Sequence, residues 1–233
     1  MNRNILKYIA AIAMLCDHIG LVFVGMDKPL CMAMRVFGRL AAPVMCYFLV
    51  EGYMHTSSKK KYGTRLLAFA FISQMPYAYL LAGKITVLKF NMIFTLLLCF
   101  MMLFTLEKIE NKVLKFVLVG VLYWLCSYCD WGVVAPLWVM AFALFRNDRN
   151  KLSVAYSFVC IFWVVRSVAM TVSGGGIWYE GLWQAGSLGL IPLIYLYNGK
   201  AGKSSRFSKW FFYVFYPLHI LIIAVIYRNG LFR

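Results

Sequence analysis

Asp17 and His18 stand side by side in MLCDHIGLVF, residues 14–23, inside an otherwise apolar run. A histidine exchanges a proton near neutral pH and can serve as a general base or a nucleophile. Neighbouring residues on a helix point about 100° apart, so Asp17 is poorly placed to orient His18. It is better suited to holding an arginine, with Arg39 and Arg166 as candidates. Arg35, Arg39, Glu51, Arg166 and His219 also interrupt apolar segments. The plain alternative is a set of ion pairs that only hold helices together. His55 reads as a boundary histidine. The spacing of Cys126 and Cys129 in CSYC suits a metal or redox pair, yet no second pair or nearby histidine completes it, and no metal is expected.

The elements that must carry these groups follow from composition. The chain has 233 residues, 63% hydrophobic and 14% charged, far below the quarter charged of an ordinary soluble domain. That predicts an all-α, polytopic membrane helix bundle in one domain, residues 1–233. Nine apolar segments are expected to span, at about 5–26, 34–55, 63–83, 90–106, 113–129, 132–146, 153–173, 183–198 and 209–228. The start MNRNILKYIAAIAML fits a signal peptide, but the apolar run continues through Val24 with no small-residue cleavage pattern. A retained first span is expected. Of 24 Lys and Arg, sixteen fall in alternate connections and five in the others. By the positive-inside rule this puts the N-terminus in the cytoplasm and the C-terminus outside a bacterial cytoplasmic membrane. The excess of cations therefore does not imply nucleic acid. Seven cysteines lie mostly in apolar segments and suggest no disulfide framework.

Depth links the two patterns. At about 1.5 Å per residue, His18 lies roughly 20 Å from the cytoplasmic start of its helix. Arg166 reaches a similar height and His219 a slightly deeper one. Arg35 and Arg39, on one face at i, i+4, descend towards that level from the outer end. Asn91 and Asp130 lie at the outer ends of their segments. Six helices thus aim polar groups at one outer-half layer, where a charge is expensive unless it faces a bundle interior or cavity. Glu51 and His55 approach the cytoplasmic side instead.

LKYIAAIAMLCDHIG, RVFGRLAAPVMCYFLVEGYMHT, RLLAFAFISQMPY, NMIFTLLL, LYNGKAG and KWFFYVFYPLHILII, in that order, resemble the TraX family, named for a conjugal-transfer protein associated with N-terminal acetylation of pilin. The likeness runs from about residue 5 to 226. More distantly, the chain resembles acyltransferase-3 proteins and the lysosomal glucosaminide acetyltransferase. This resemblance implies acyl transfer from cytosolic acetyl-CoA to an acceptor on the far side, with His18 of DHIG as the catalytic histidine. Asp17, Arg35, Arg39, Glu51 and His55 occupy family-like positions in the first two spans, and Asn91, Asn198, Tyr216 and His219 in later ones. GRLAAP, where an aromatic is expected before the proline, and CDWG, where DYG is expected, depart from the pattern and bear on acceptor preference.

Acyl transfer needs a base and donors for the developing oxyanion. His18 fits the first role, and Arg39, Arg35 or Asn91 the second. Acetyl-CoA is expected at the inner end, with Glu51 and Asn198 in its site, its phosphates near Lys59, Lys60, Lys61, Arg65, Lys200, Lys203 and Arg206, and YNGKAGK as a flexible loop. The acceptor, a pilin N-terminus, another peptide or a glycan, would enter from outside. Two other classes fit the same residues: a proton-coupled transporter using an Asp, His and Arg relay, and a structural subunit of a secretion or conjugation complex. The glycines of GSLGL allow close helix packing within a subunit or in a homodimer.

Overall fold

The computed structural model describes residues 1–25, 28–83, 89–200, 202 and 206–230, with only the backbone of 206–209 and 212. Among the described residues ten α-helices run in chain order: α1 Arg3–Phe23, α2 Pro29–Gly38, α3 Ala41–His55, α4 Lys59–Ala82, α5 Met92–Lys108, α6 Lys112–Cys126, α7 Ala135–Phe145, α8 Arg149–Ser173, α9 Leu190–Leu196 and α10 Arg206–Arg228. A 3₁₀ helix, Trp178–Gly189, precedes α9. Among the described residues there is no strand, only an isolated bridge between Phe90 and Cys129. The starts are locally encoded. Asn2, Ser58, Asn91, Asn111 and Asp148 each turn a side-chain oxygen onto a free N–H of the first turn. Pro29 opens α2, where a missing N–H costs nothing.

The nine-span division is not reproduced. Among the described residues three stretches are long and apolar enough to cross a membrane: Arg3–Phe23, Pro29–His55 and Arg149–Ser173. Apolar composition continues through turns that end helices, so sequence runs overestimate helix length. α5, α6 and α7 have 17, 15 and 11 residues, against the roughly 20 that a span needs. Lysines at the start of α4 dilute its apolar character. The expected 183–198 span divides between the 3₁₀ helix and seven-residue α9. The second expected span also breaks, at Arg39 and Leu40, between α2 and α3.

The surface is nonetheless that of a membrane protein. Phe116 is 81% exposed, Phe158 77% and Val113 74%. α8 is long and strongly apolar, yet little of it is buried. Such a belt is far larger than a water-soluble monomer shows. Inside, α1 packs on α2, α3 and α10, α4 lies between α5 and α10, and α3, α7 and α8 follow one another. The 3₁₀ helix bridges α8 and α2.

Helix ends gather at two poles. At one pole the Met1 amine donates to Leu196 O at 2.8 Å, the Arg149 guanidinium to Tyr197 O at 3.1 Å, and Lys59 pairs with Glu107. At the other, Arg228 donates to Leu80 O at 3.0 Å, Phe90 N donates to Tyr128 O at 3.0 Å, and the Phe90 carbonyl accepts from Asp130 N at 2.8 Å. Two glycines set the approaches that matter. A Cβ on Gly38 would collide with the Asp17 side chain, and one on Gly186 with the Val36 carbonyl. The first brings α2 onto α1, and the second brings the 3₁₀ helix onto α2.

Candidate active site

Near the second pole a chamber of ≈ 470 Å³ opens between α1, α2, the 127–134 turn, α8 and the 3₁₀ helix. Asp17, His18, Arg35, Arg39, Asp130 and Arg166 all line it. The structure thus gathers most of the polar layer into one cavity.

Each cation has a specific support. Arg39 pairs with Asp17 and lies between two rings, 4.6 Å from the Trp131 centroid and 4.5 Å from that of Trp183. Trp183 also stacks beneath Arg35, at 3.4 Å. Both arginines are 6% exposed. Stacking suits guanidinium, which is weakly hydrated and planar. Trp131 reaches its place with φ at +58°, a left-handed backbone that a bulky residue seldom adopts. Strain of that kind persists where surrounding contacts enforce it. At the rim Lys89 lies 3.5 Å from Asp130, and Arg166 over Trp163 at 5.2 Å. Burial pushes the Asp130 carboxyl up from its ordinary range, against the pull of Lys89 and Arg39.

His219 does not line the chamber but sits behind His18. Its Nδ1 lies 2.7 Å from the Phe215 carbonyl, and its Nε2 lies 2.9 Å from Nδ1 of His18. A carbonyl only accepts, so Nδ1 of His219 carries the hydrogen. In the neutral ring Nε2 is then an acceptor. Nδ1 of His18 must therefore donate to it, which leaves Nε2 of His18 as an unprotonated, basic nitrogen. The two rings are nearly parallel, at 22°. Two residues 201 positions apart thus fix one tautomer.

Asn91 is placed differently from its expected role as an oxyanion donor. It is fully buried as the cap of α5, with Oδ1 accepting from Ile93 N at 2.9 Å. Its amide donates to Ala70 O at 2.8 Å and Gln74 Oε1 at 2.9 Å. No donor is left for a ligand. Tyr216 accepts from Met92 N at 3.2 Å, tying α10 to α5.

Two smaller cavities continue inward. One of ≈ 30 Å³, about one water in size, is bordered by Asp17, His18, Met45, Asp130, Trp131 and Tyr216. The next, ≈ 180 Å³, is lined by Arg3, Lys7, Met45, Glu51, Tyr62 and Tyr213. Asp17, His18, Asp130 and Trp131 border both the chamber and the small cavity, and Met45 borders both inner ones. His18 therefore stands where the outer space meets an inward path.

The predicted inner cations are less concentrated. Lys59 pairs with Glu107, which also accepts from Tyr53 Oη at 2.6 Å. Lys60, Lys61, Arg65, Asn198 and Lys200 are exposed, and Asn198 Oδ1 caps Lys200 N at 3.1 Å. Lys203 and the Arg206 side chain lie outside the described residues. His55 is exposed, with Nδ1 2.9 Å from Glu51 O. Of the inner candidates among the described residues Glu51 alone lines the cavity, beside Arg3 and Lys7, which sequence reasoning passed over as the basic start of a first span. It also missed Trp131, Trp163 and Trp183. Their signal was the arginines themselves, because a buried guanidinium calls for a stacking partner. Among the described residues no group of three His, Cys, Asp or Glu side chains could hold a metal ion, and Cys126 and Cys129 are buried free thiols.

The family model described as TraX protein matches residues 2–227. The probable fimbrial assembly protein FimC, serogroup H1, of Dichelobacter nodosus is 32% identical over 228 residues, covering 87% of this chain and 88% of that protein. The uncharacterized protein RP591 of Rickettsia prowazekii (strain Madrid E) is 29% identical over 155 residues, 66% of this chain and 52% of its own. No solved structure matches.

Proposed function

The chain belongs to the TraX family, and from that premise we propose that it is a multi-pass acetyltransferase of the bacterial cytoplasmic membrane. It moves an acetyl group from cytosolic acetyl-CoA to an amine or hydroxyl on the far side, in the service of pilus or conjugation-related assembly. A pilin N-terminus is the acceptor that the family's name favours. The observation that carries this reading is the 2.9 Å contact between His18 and His219, which leaves Nε2 of His18 basic at the inner wall of the chamber. The pole bearing the N-terminus, Lys59 and Arg149 faces the cytoplasm, by the positive-inside rule.

In the reaction, Nε2 of His18 takes the acceptor's proton as its lone pair attacks the thioester carbonyl. Arg39, held by Asp17 and two tryptophans, donates to the oxyanion. Collapse breaks the C–S bond, and the proton on Nε2 passes to the leaving thiolate. Both partners return to their starting protonation. Arg3 and Lys7 give the inner cavity a positive lining for the donor's phosphates, and its narrow arm runs past Met45 towards His18. The small cavity is too tight for that arm as it stands, so Met45, with its flexible unbranched side chain, must shift on binding.

A transporter remains the rival, since cavities in series also suit a solute path. Reconstituted protein with labelled acetyl-CoA on the cytoplasmic side and acceptors on the other separates the two. Label on an acceptor that disappears in His18→Ala supports the enzyme. Solute uptake with no acetylation overturns it.

A further inference from the structure

Resting on the acyl-transfer reading of the chamber, we propose that its acceptor carries an anionic oxygen group, a carboxylate or phosphate, near the reacting nitrogen or hydroxyl. Arg35 is the residue that binds it.

The chamber's charges do not balance. Arg35, Arg39, Arg166 and Lys89 face two carboxylates, Asp17 and Asp130. Asp17 is taken by Arg39 and Asp130 by Lys89. Arg166 sits at the exposed rim, over the Trp163 ring. Arg35 feels the nearby Asp17 charge but makes no ion pair of its own among the described residues. It is 6% exposed, and among the described residues its Nε and Nη1 make no hydrogen bond. A buried cation with open donors is expensive, and stacking on Trp183 satisfies its face while leaving its edges free.

The surroundings are built to hold that side chain still. Arg35 lies in the last turn of α2, where the helix dipole favours a cation. Gly186 lets the 3₁₀ helix approach the α2 backbone closely, bringing Trp183 flat beneath the guanidinium. A fixed planar guanidinium is the side chain best matched to carboxylate or phosphate oxygens. Arg39 is engaged by Asp17, so the two arginines divide the work: one stabilises developing charge, the other reads charge already present. The chamber, at ≈ 470 Å³, is of the size that takes a small molecule or the end of a larger one.

The test uses full-length protein in lipid nanodiscs, titrated with three ligands that share a ring: glucosamine, glucosamine 6-phosphate and muramic acid. Binding is read from the shift of the thermal unfolding midpoint at matched ionic strength. One or both anionic sugars are expected to bind at least about tenfold more tightly than glucosamine, and Arg35→Gln to remove that preference, as loss of a charge-assisted hydrogen bond implies. The stronger of the two identifies phosphate or carboxylate. Equal binding of all three, no binding, or a preference that survives Arg35→Gln overturns the inference. If Arg35→Gln does not fold, Trp183→Leu keeps the charge and frees its orientation, and is expected to weaken anion binding several-fold. An unchanged preference in that variant overturns it as well. Release of CoA from acetyl-CoA, measured on the same nanodiscs, is independent. Anion preference without turnover retires the acyltransferase reading, and turnover without preference retires only this one.

Discussion

The two poles carry the same kinds of residue under opposite conditions. At the inner pole Lys60, Lys61 and Lys200 sit in solvent, and Lys59 meets Glu107 with both side chains about a third exposed. In the outer chamber Arg39 meets Asp17 with side-chain exposures of 7% and 14%. Water relieves the first group whether or not anything is bound. The second group has only protein to satisfy it, so every contact there is committed or open to a ligand. On the proposed reading, charge marks topology at one pole and chemistry at the other.

The widest separation is expected in transfer. His18→Ala should lower acetyl transfer by about 10²–10⁴-fold, the usual worth of a general base, whereas Lys60→Ala or Lys61→Ala should change it less than about twofold. Labelled acetate on the acceptor measures both. On the proposed reading His219 acts through His18, as a positioning residue. His219→Ala should therefore cost less than His18→Ala, and His219→Gln, whose amide oxygen can still accept from Nδ1 of His18, should recover part of the loss.

The next effect is on stability. Asp17→Ala leaves Arg39 buried without its counter-charge and should cost about 3–5 kcal/mol. Gly38→Ala presses a methyl group into the Asp17 side chain and should cost about 1–3 kcal/mol, as overpacking does. Thermal unfolding in nanodiscs ranks them. If Gly38→Ala proved the worse, packing of α1 against α2 would outweigh the ion pair, and the chamber would owe its shape to backbone approach.

The outer layer was legible because depth follows from residue number on a straight helix. Asp17, His18, Arg35, Arg39, Asp130 and Arg166, which that counting set at similar heights, line one chamber, whereas Asn91 and His219 lie outside its lining. Membrane character was legible from composition, but the number of spans was not. The break at Arg39 and Leu40 is flanked by single residues, Gly38 and Pro43, that a membrane helix also tolerates, and the 3₁₀ stretch carries apolar residues at a density that suits a span. Pairings across the fold were beyond one dimension. Nothing in the chain couples residue 18 to residue 219, and the cap at Asn91 resembles a free polar group until Gln74 is seen beside it.

The smallest expected effect sharpens the contrast from the inner side. Hydrogen bonds from Lys59 and Tyr53 hold the Glu107 carboxyl down, to about 2. A carboxylate with a lowered pKa stabilises the fold fully above its unfolded value, near 4.3. That contribution fades as pH falls towards 2. The difference in unfolding midpoint between the protein and Glu107→Gln should therefore be small, constant from neutral pH to about 4.5, and vanish on further acidification. Salt should shrink it too, because both partners reach solvent. Asp17→Asn, measured alongside, should give a larger difference that added salt barely changes, since that pair is shielded from water. Equal salt sensitivity of the two would mean that water enters the chamber freely, and the contrast between the poles would fail.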